Sequence, residues 1–182
     1  MVKQQIADLL ARRKKRRIES SDLIASAVLI PVFSDQGQYH LLFTERSDEV
    51  DFHKGQVCFP GGKQEPADAS LLETALRETE EEISLKASDV EILGELDDMP
   101  TITTNYIISP FVGLIPHPYP FRVDRREIRQ IFSVPLTFLA DDANFREDTW
   151  SYEYRGHIIW GATARILRQF VELLRTESGA RS

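Results

Sequence analysis

Residues 62–85 read GKQEPADASLLETALRETEEEISL, and their interpretation decides that of the whole chain. Just before them, residues 56–59 suggest a short extended piece that Pro60-Gly61-Gly62 stops. A helix is predicted to begin near Asp68 or Ser70, either of which can cap free N–H groups, and to run to about Ile83. On a helical wheel Leu72, Ala75, Leu76, Thr79 and Ile83 fall on one side and are expected to pack against a sheet. Glu78 and Glu82, four residues apart, share a face with Glu81 beside them, and Arg77 can bridge to Glu81. A solvated acidic face is the ordinary explanation of such a run. Against it, like charges at this spacing cost a helix about 0.2–0.5 kcal/mol per pair, so a cation would supply the missing charge. Hard oxygen ligands without His or Cys suit Mg²⁺ or Mn²⁺. Mg²⁺ usually bridges to phosphate oxygens as well, so a phosphate-bearing substrate is the natural partner. The Pro-Gly-Gly turn lets backbone pass close to a ligand.

Outward from this segment, residues 25–33 form a continuous apolar run expected of a buried strand, and 39–44 resume as a second strand after the turn at 34–38. Further strands are expected at 90–96, 106–115 and 127–132, and a hairpin over 145–160 turning at Arg155-Gly156. Ile166, Leu167, Phe170, Leu173 and Leu174 mark a closing amphipathic helix from 162 to about 175. Strands with helices inserted and appended describe an α+β protein with a mixed β-sheet. The 182 residues suit a single domain over 21–182, preceded by a basic helical extension over 1–20. That extension reads as an exposed helix over 1–17 with a small stripe of Ile6, Leu9 and Leu10, ending in the basic run 12–17. The run reads best as a solvated face, with nuclear localisation, RNA binding or a mitochondrial presequence as weaker alternatives. The net charge of −7 argues against a dedicated nucleic-acid binder. Cys58 is the only cysteine, so no intramolecular disulfide forms, and a cytoplasmic setting is expected. No apolar run approaches the roughly 20 residues of a membrane span.

Residues 62–85 resemble the Nudix box, Gly-x5-Glu-x7-Arg-Glu-U-x-Glu-Glu-x-Gly-U, where U is bulky and aliphatic. Arg77, Glu78, Glu81, Glu82 and Leu85 match in register. Asp68 takes the first acidic place with one extra residue before Arg77, Thr79 sits at a U position, and Ser84 replaces the glycine. An upstream pattern is similar to that of the coenzyme A pyrophosphatase branch: Leu42-Phe43-Thr44-Glu45-Arg46-Ser47, then Gly55 and Phe59-Pro60-Gly61-Gly62. Phe43 stands there for a leucine and Asp51 for a second arginine. His53-Lys54-Gly55-Gln56 and Trp160-Gly161-Ala162-Thr163-Ala164-Arg165-Ile166-Leu167 also resemble that branch.

The resemblance implies a Nudix-type α/β/α sandwich that hydrolyses a nucleoside diphosphate linked to another group, with coenzyme A or its thioesters as substrate. The products would be 4′-phosphopantetheine and adenosine 3′,5′-bisphosphate. Glu78 and Glu82 would be the metal ligands, with Glu81 sharing the metal or its waters, and Arg77 would orient Glu81. Glu127 would approach the metals as base or further ligand. Arg46 and Lys54 are candidates for substrate phosphates, Gly61 for backbone geometry and Gly62 for a carbonyl near the metal. His53 and the polar stretch of Thr101, Thr103, Thr104, Asn105 and Tyr106 read better as local hydrogen bonding and turn chemistry. Cys58 reads as a small buried residue rather than a nucleophile. Asp51 keeps open another substrate such as ADP-ribose, NADH or a damaged nucleotide. Ser84 and the basic run keep open a non-catalytic nucleotide-binding module. A homodimer is expected only because symmetric oligomers are common.

Overall fold

The run IASAVLIPVFSD forms β1 (Ile24–Asp35), the central strand of a computed structural model that describes residues 2–48, 54–101 and 104–179. Asp51, His53 and Thr103 lie outside the described residues. Alternate β1 side chains serve two cores: Ile30 and Val32 enter one, Ala27, Leu29 and Phe33 the other. Burial on both faces is why the segment reads as continuously apolar. β2 (Gln38–Arg46) returns antiparallel, and Gln36 and Gly37 both take positive φ at the turn, as a tight hairpin with right-twisted strands requires.

Two short strands follow, β3 (Val57–Cys58) on β2 and β4 (Gly61–Lys63) on β1. Helix α2 (Leu71–Ile83) comes next, then β5 (Glu91–Glu95), β6 (Met99–Pro100) and β7 (Tyr106–Leu114). β7 runs parallel to β1 from Ile24↔Tyr106 to Val32↔Leu114, whereas the other pairings in this sheet are antiparallel, so the sheet is mixed. β8 (Ile128–Pro135) pairs with β2, and the short α3 (Leu136–Ala140) leads into a small sheet of β9 (Phe145–Arg146), β10 (Ser151–Tyr154) and β11 (His157–Ile159). α4 (Gly161–Gly179) closes the described chain. Ala75, Ile83 and Leu85 cover one core, while Leu167 and Phe170 of α4 belong to the other, giving the α/β/α sandwich.

Several expectations need correction. Helix α1 (Val2–Arg12) is not an exposed appendage: Ile6 and Leu10 are buried in the core that α4 covers. Nor is the basic run simply solvated. Arg13 pairs with Asp97 at 2.6 Å, and Lys15 pairs with Glu95 at 2.9 Å and Asp98 at 3.0 Å. Arg17 reaches Glu95, and the Arg16 and Ile18 N–H groups donate to Asp97 and Asp98. Burial alone would raise the Asp98 carboxyl, but hydrogen bonds from Ser109, Ile18 and Lys15 outweigh it and hold it below its usual value. The acidic segment 95–98 thus fixes the basic one.

Gly61 and Gly62, expected in a turn, are paired with Val28 and Ala27 in β4. The 127–132 strand is longer, and α3 had no clear periodic signal. Among the described residues, no helix is long and apolar enough to cross a membrane.

Candidate active site

Ser70, rather than Asp68, caps α2: its hydroxyl accepts the Glu73 N–H at 3.2 Å, while the Glu73 carboxylate accepts the Ala69 N–H at 2.7 Å. Asp68 serves a different purpose. Its carboxylate accepts from Arg77 Nε at 2.9 Å and from an Arg77 terminal nitrogen at 3.0 Å, and also from Thr74 and the Glu65 N–H. The Arg77 hydrogen bonds, followed by that of Glu65, hold the Asp68 carboxyl well below the usual carboxylate range. From this clamp Arg77 also reaches Glu78 at 3.0 Å and Glu81 at 3.3 Å. It therefore organises the acidic helix from its first turn.

The buried face of α2 comprises Thr74, Ala75, Thr79, Glu82 and Ile83. Leu76, expected inside, instead lines a surface groove on the other side of α2 with Leu72, Glu80 and Glu81. Glu82 is only 3% exposed, and its carboxylate accepts the Gly61 N–H at 3.3 Å. Burial pushes Glu82 up to about 8, and repulsion from Glu78 and Glu127 adds to this, against Arg46 and the Gly61 N–H. Burial likewise raises Glu78, with Glu81 and Glu127 adding and Arg77 opposing. Glu127, expected at the head of a strand, is exposed on a turn, and its carbonyl oxygen accepts the Ser47 N–H beside the end of β2.

Gly62 explains how these groups fit. A Cβ built there would lie 2.6 Å from both carboxylate oxygens of Glu78, so the missing side chain is what admits that carboxylate. At Gly61, with φ of +151°, a Cβ would collide with the Ala27 carbonyl oxygen and with Val28 Cα at 2.6 Å. Ser84 takes φ of +58° at the end of α2, and its N–H donates to the Glu80 carbonyl oxygen, so it performs the left-handed stop usually given to glycine.

A cleft of about 810 Å³ opens beside Glu82, and Arg46, Gly61, Gly62, Cys58 and Trp160 are among its walls. The sequence candidates thus separate. Glu82, Arg46, Gly61 and Gly62 share the cleft, with Glu78 packed against Gly62 and Glu127 electrostatically coupled to both glutamates. Lys54 is exposed and is not among the cleft walls. Glu81, with a side chain 61% exposed, faces Arg77 and the outer groove. Thr101, Thr104 and Tyr106 satisfy one another by turn hydrogen bonds, as expected, and also edge the cleft. Asp68 is the site residue whose task the spacing conceals: it anchors Arg77. Trp160, Thr163 and Arg165 also line the cleft, and in the sequence they carry no signal beyond the branch resemblance.

Among the described residues, no three His, Cys, Asp or Glu side chains already converge as a metal cage. The donor set is nevertheless suited to a hard divalent ion. Glu82 is a carboxylate that burial and neighbouring negative charge disfavour, Glu78 is similarly affected, and Gly62 leaves space against them.

A carboxylate-bearing helix, entered from a diglycine strand and laid on a mixed sheet between helical layers, is the architecture of a pyrophosphohydrolase. The NUDIX domain family model matches residues 23–153, and the chain belongs to the Nudix hydrolase family. It is 37% identical over 160 residues to the Nudix hydrolase NudL of Yersinia enterocolitica, covering 81% of this chain and 80% of that one. A Yersinia pestis NudL is also 37% identical, over 157 residues, with 81% and 78% covered. Among solved structures, the C. elegans Ap4A hydrolase binary complex aligns with TM-score 0.59 and 16% identity over 85% of this chain and 99% of that one. The NUDIX domain of Shewanella oneidensis NrtR complexed with ADP ribose aligns with TM-score 0.60 and 15% identity, covering 92% and 97%. At those identities the two structures speak for the fold alone. The chain is accordingly an enzyme of the class that hydrolyses nucleoside diphosphate derivatives with divalent metal ions.

Proposed function

We propose that this hydrolase cleaves the pyrophosphate bond of coenzyme A or its thioesters, releasing 4′-phosphopantetheine and adenosine 3′,5′-bisphosphate. The observation that carries this reading is the convergence of the upstream pattern: Arg46 from its first half and Phe59, Gly61 and Gly62 from its second line one cleft with Glu82. Among the described residues the buried Nε of Arg46 has no hydrogen-bond partner, an unmet donor on a guanidinium of the kind that pairs with phosphate oxygens.

Glu78 and Glu82 would hold Mg²⁺ or Mn²⁺, and Glu81 would share the metal or its waters. A divalent ion held there would supply charge neutralisation on the pyrophosphate and a water acidic enough to attack at neutral pH. Arg77, anchored on Asp68, orients Glu78 and Glu81 through its hydrogen bonds. Glu127 accepts the proton of the attacking water as general base. Gly61 fixes Glu82 through its N–H, and Lys54, exposed outside the cleft walls, is a candidate contact for the substrate's phosphates.

The test is a panel of coenzyme A, acetyl coenzyme A, 3′-dephospho-coenzyme A, ADP-ribose, NADH and Ap4A incubated with Mg²⁺ or Mn²⁺, with products identified by mass. Coenzyme A should be cut to the two products above, faster than its dephospho form. Turnover of ADP-ribose or Ap4A with coenzyme A left intact would replace this reading, and tight nucleotide binding with no product would make the chain a sensor.

A further inference from the structure

Ile24 and Trp160 are 38% and 50% exposed, and both stand on the wall of the cleft that contains Glu82. Exposing two large apolar side chains to the same cleft is unfavourable unless something covers them. Trp150 makes a useful contrast, because its ring packs edge-on against Phe145 at 5.4 Å, whereas Trp160 has no ring partner among the described residues. Trp160 is nonetheless held in place. Its carbonyl accepts the Ala164 N–H, and Gly161, with φ of +64°, turns the chain directly into α4. Three residues along, Thr163 lines the same cleft as Cys58 of β3, the strand next to Arg46.

Arg165 follows on the same helix and lines the same cleft, with no ion pair or hydrogen bond among the described residues. Most arginines elsewhere on the body are engaged: Arg77, Arg126, Arg129, Arg146, Arg168 and Arg175 each meet a carboxylate. Among the described residues the cleft therefore presents an unpaired guanidinium, an uncovered indole and an exposed aliphatic side chain. These are the elements that recognise a phosphorylated aromatic nucleoside: a flat base covers the indole, and a guanidinium forms paired hydrogen bonds to phosphate.

We infer that Ile24, Trp160 and Arg165 form the nucleoside subsite, with the adenine ring stacked on Trp160 in the cleft that Ile24 also lines and a ribose-borne phosphate on Arg165. Trp160 and Arg165 are thus specificity-determining residues. The assignment of the phosphate to the ribose 3′ position rests on coenzyme A being the substrate; the base-stacking half does not.

The test uses the full chain carrying Trp150→Phe, which leaves Trp160 as its single indole. Its fluorescence is titrated with adenosine 3′,5′-bisphosphate and with adenosine 5′-monophosphate, neither of which contains a pyrophosphate bond to cleave. Saturable quenching by both is expected, with the bisphosphate binding about 10- to 100-fold tighter, the range of a charge-assisted hydrogen bond. Arg165→Gln should bring the two affinities together, and Arg165→Lys should restore part of the difference. In steady-state assays Arg165→Gln should likewise reduce the KM advantage of coenzyme A over its dephospho form. Absence of quenching by either nucleotide, or an affinity ratio that Arg165→Gln leaves unchanged in a protein with wild-type melting behaviour, overturns the inference. Quenching in a protein that leaves coenzyme A uncut refutes the proposed substrate and retains the stacking wall. Coenzyme A cleavage without quenching does the reverse.

Discussion

Adding one methyl group to either glycine of the diglycine pair should produce opposite kinds of damage. In Gly61→Ala the new Cβ meets the Ala27 carbonyl oxygen and Val28 Cα, both main-chain atoms of the central strand. Neither can yield without moving β4 away from β1, whose register pairs Val28 with Gly61. The flanking hydrogen bonds, Leu29 N–H to the Pro60 carbonyl at 2.9 Å and Gln64 N–H to the Ala25 carbonyl at 3.0 Å, would be strained with it. A non-glycine residue at such a φ costs about 1–3 kcal/mol, and each weakened backbone hydrogen bond about 1 kcal/mol more. The expected loss is about 3–5 kcal/mol, which for a chain of this size lowers Tm by roughly 10–15 °C.

In Gly62→Ala the obstacle is the end of the Glu78 side chain, which can swing aside. Its Tm should stay within about 3 °C of wild type, because only a flexible side chain must move. Displacing that carboxylate, however, should weaken Mn²⁺ binding and raise the metal concentration needed for activity by about 10- to 100-fold. Circular dichroism melts and calorimetric Mn²⁺ titration separate the two effects. A Gly61→Ala protein melting like wild type, or a Gly62→Ala protein binding Mn²⁺ normally, would refute the reasoning about these backbone positions.

Glu82→Gln should lower kcat by roughly 10²–10³-fold, the effect of removing a preorganised charge at a reacting centre, while Tm holds or rises because an amide is easier to bury than a carboxylate. Wild-type turnover in that variant would remove Glu82 from the site. Ser84→Gly should stabilise the protein by about 1 kcal/mol, seen as a Tm gain of roughly 2–4 °C, since the residue already sits at φ of +58°. An unchanged or lower Tm would count against strain at that cap. Burial pushes the Cys58 thiol up to about 11, so its thiolate is scarce at neutral pH and increases with pH. A thiol reagent at pH 8 should react about 100-fold more slowly with the folded than with the urea-unfolded chain, with the folded rate rising about tenfold per pH unit up to pH 10. Fast, pH-independent labelling of the native protein would contradict a raised Cys58 thiol.

Much of the architecture follows from local rules that the sequence obeys. β1 and β2 are apolar on both faces or alternate between two cores, α2 is capped by Ser70 and Glu73, and the turn at Arg155-Gly156 takes positive φ at both residues. The site was legible because Glu78, Glu81, Glu82 and Arg77 lie within one helical segment, where spacing alone sets their neighbours. Periodicity misjudged the inward face of that helix because it equates burial with apolar character. At α2 the chain buries Glu82 and leaves Leu76 beside a surface groove, a local inconsistency of the kind that functional sites create. The N-terminal run misled for a related reason: its charges look solvated until the acids of 95–98, about eighty residues away in sequence, are brought beside them.

By itself, then, the sequence determined the order of elements, the acidic helix and the family to which it belongs, since each is written in contiguous residues whose geometry is set by the backbone period. Only tertiary structure decided that Arg46, Gly61, Trp160 and Arg165 share one cleft with Glu82, that Asp68 anchors Arg77, and that Leu76 lines a surface groove. Those outcomes depend on how β1 pairs with β4 and β7 and on where α4 docks, contacts between residues far apart in the chain that no local pattern specifies.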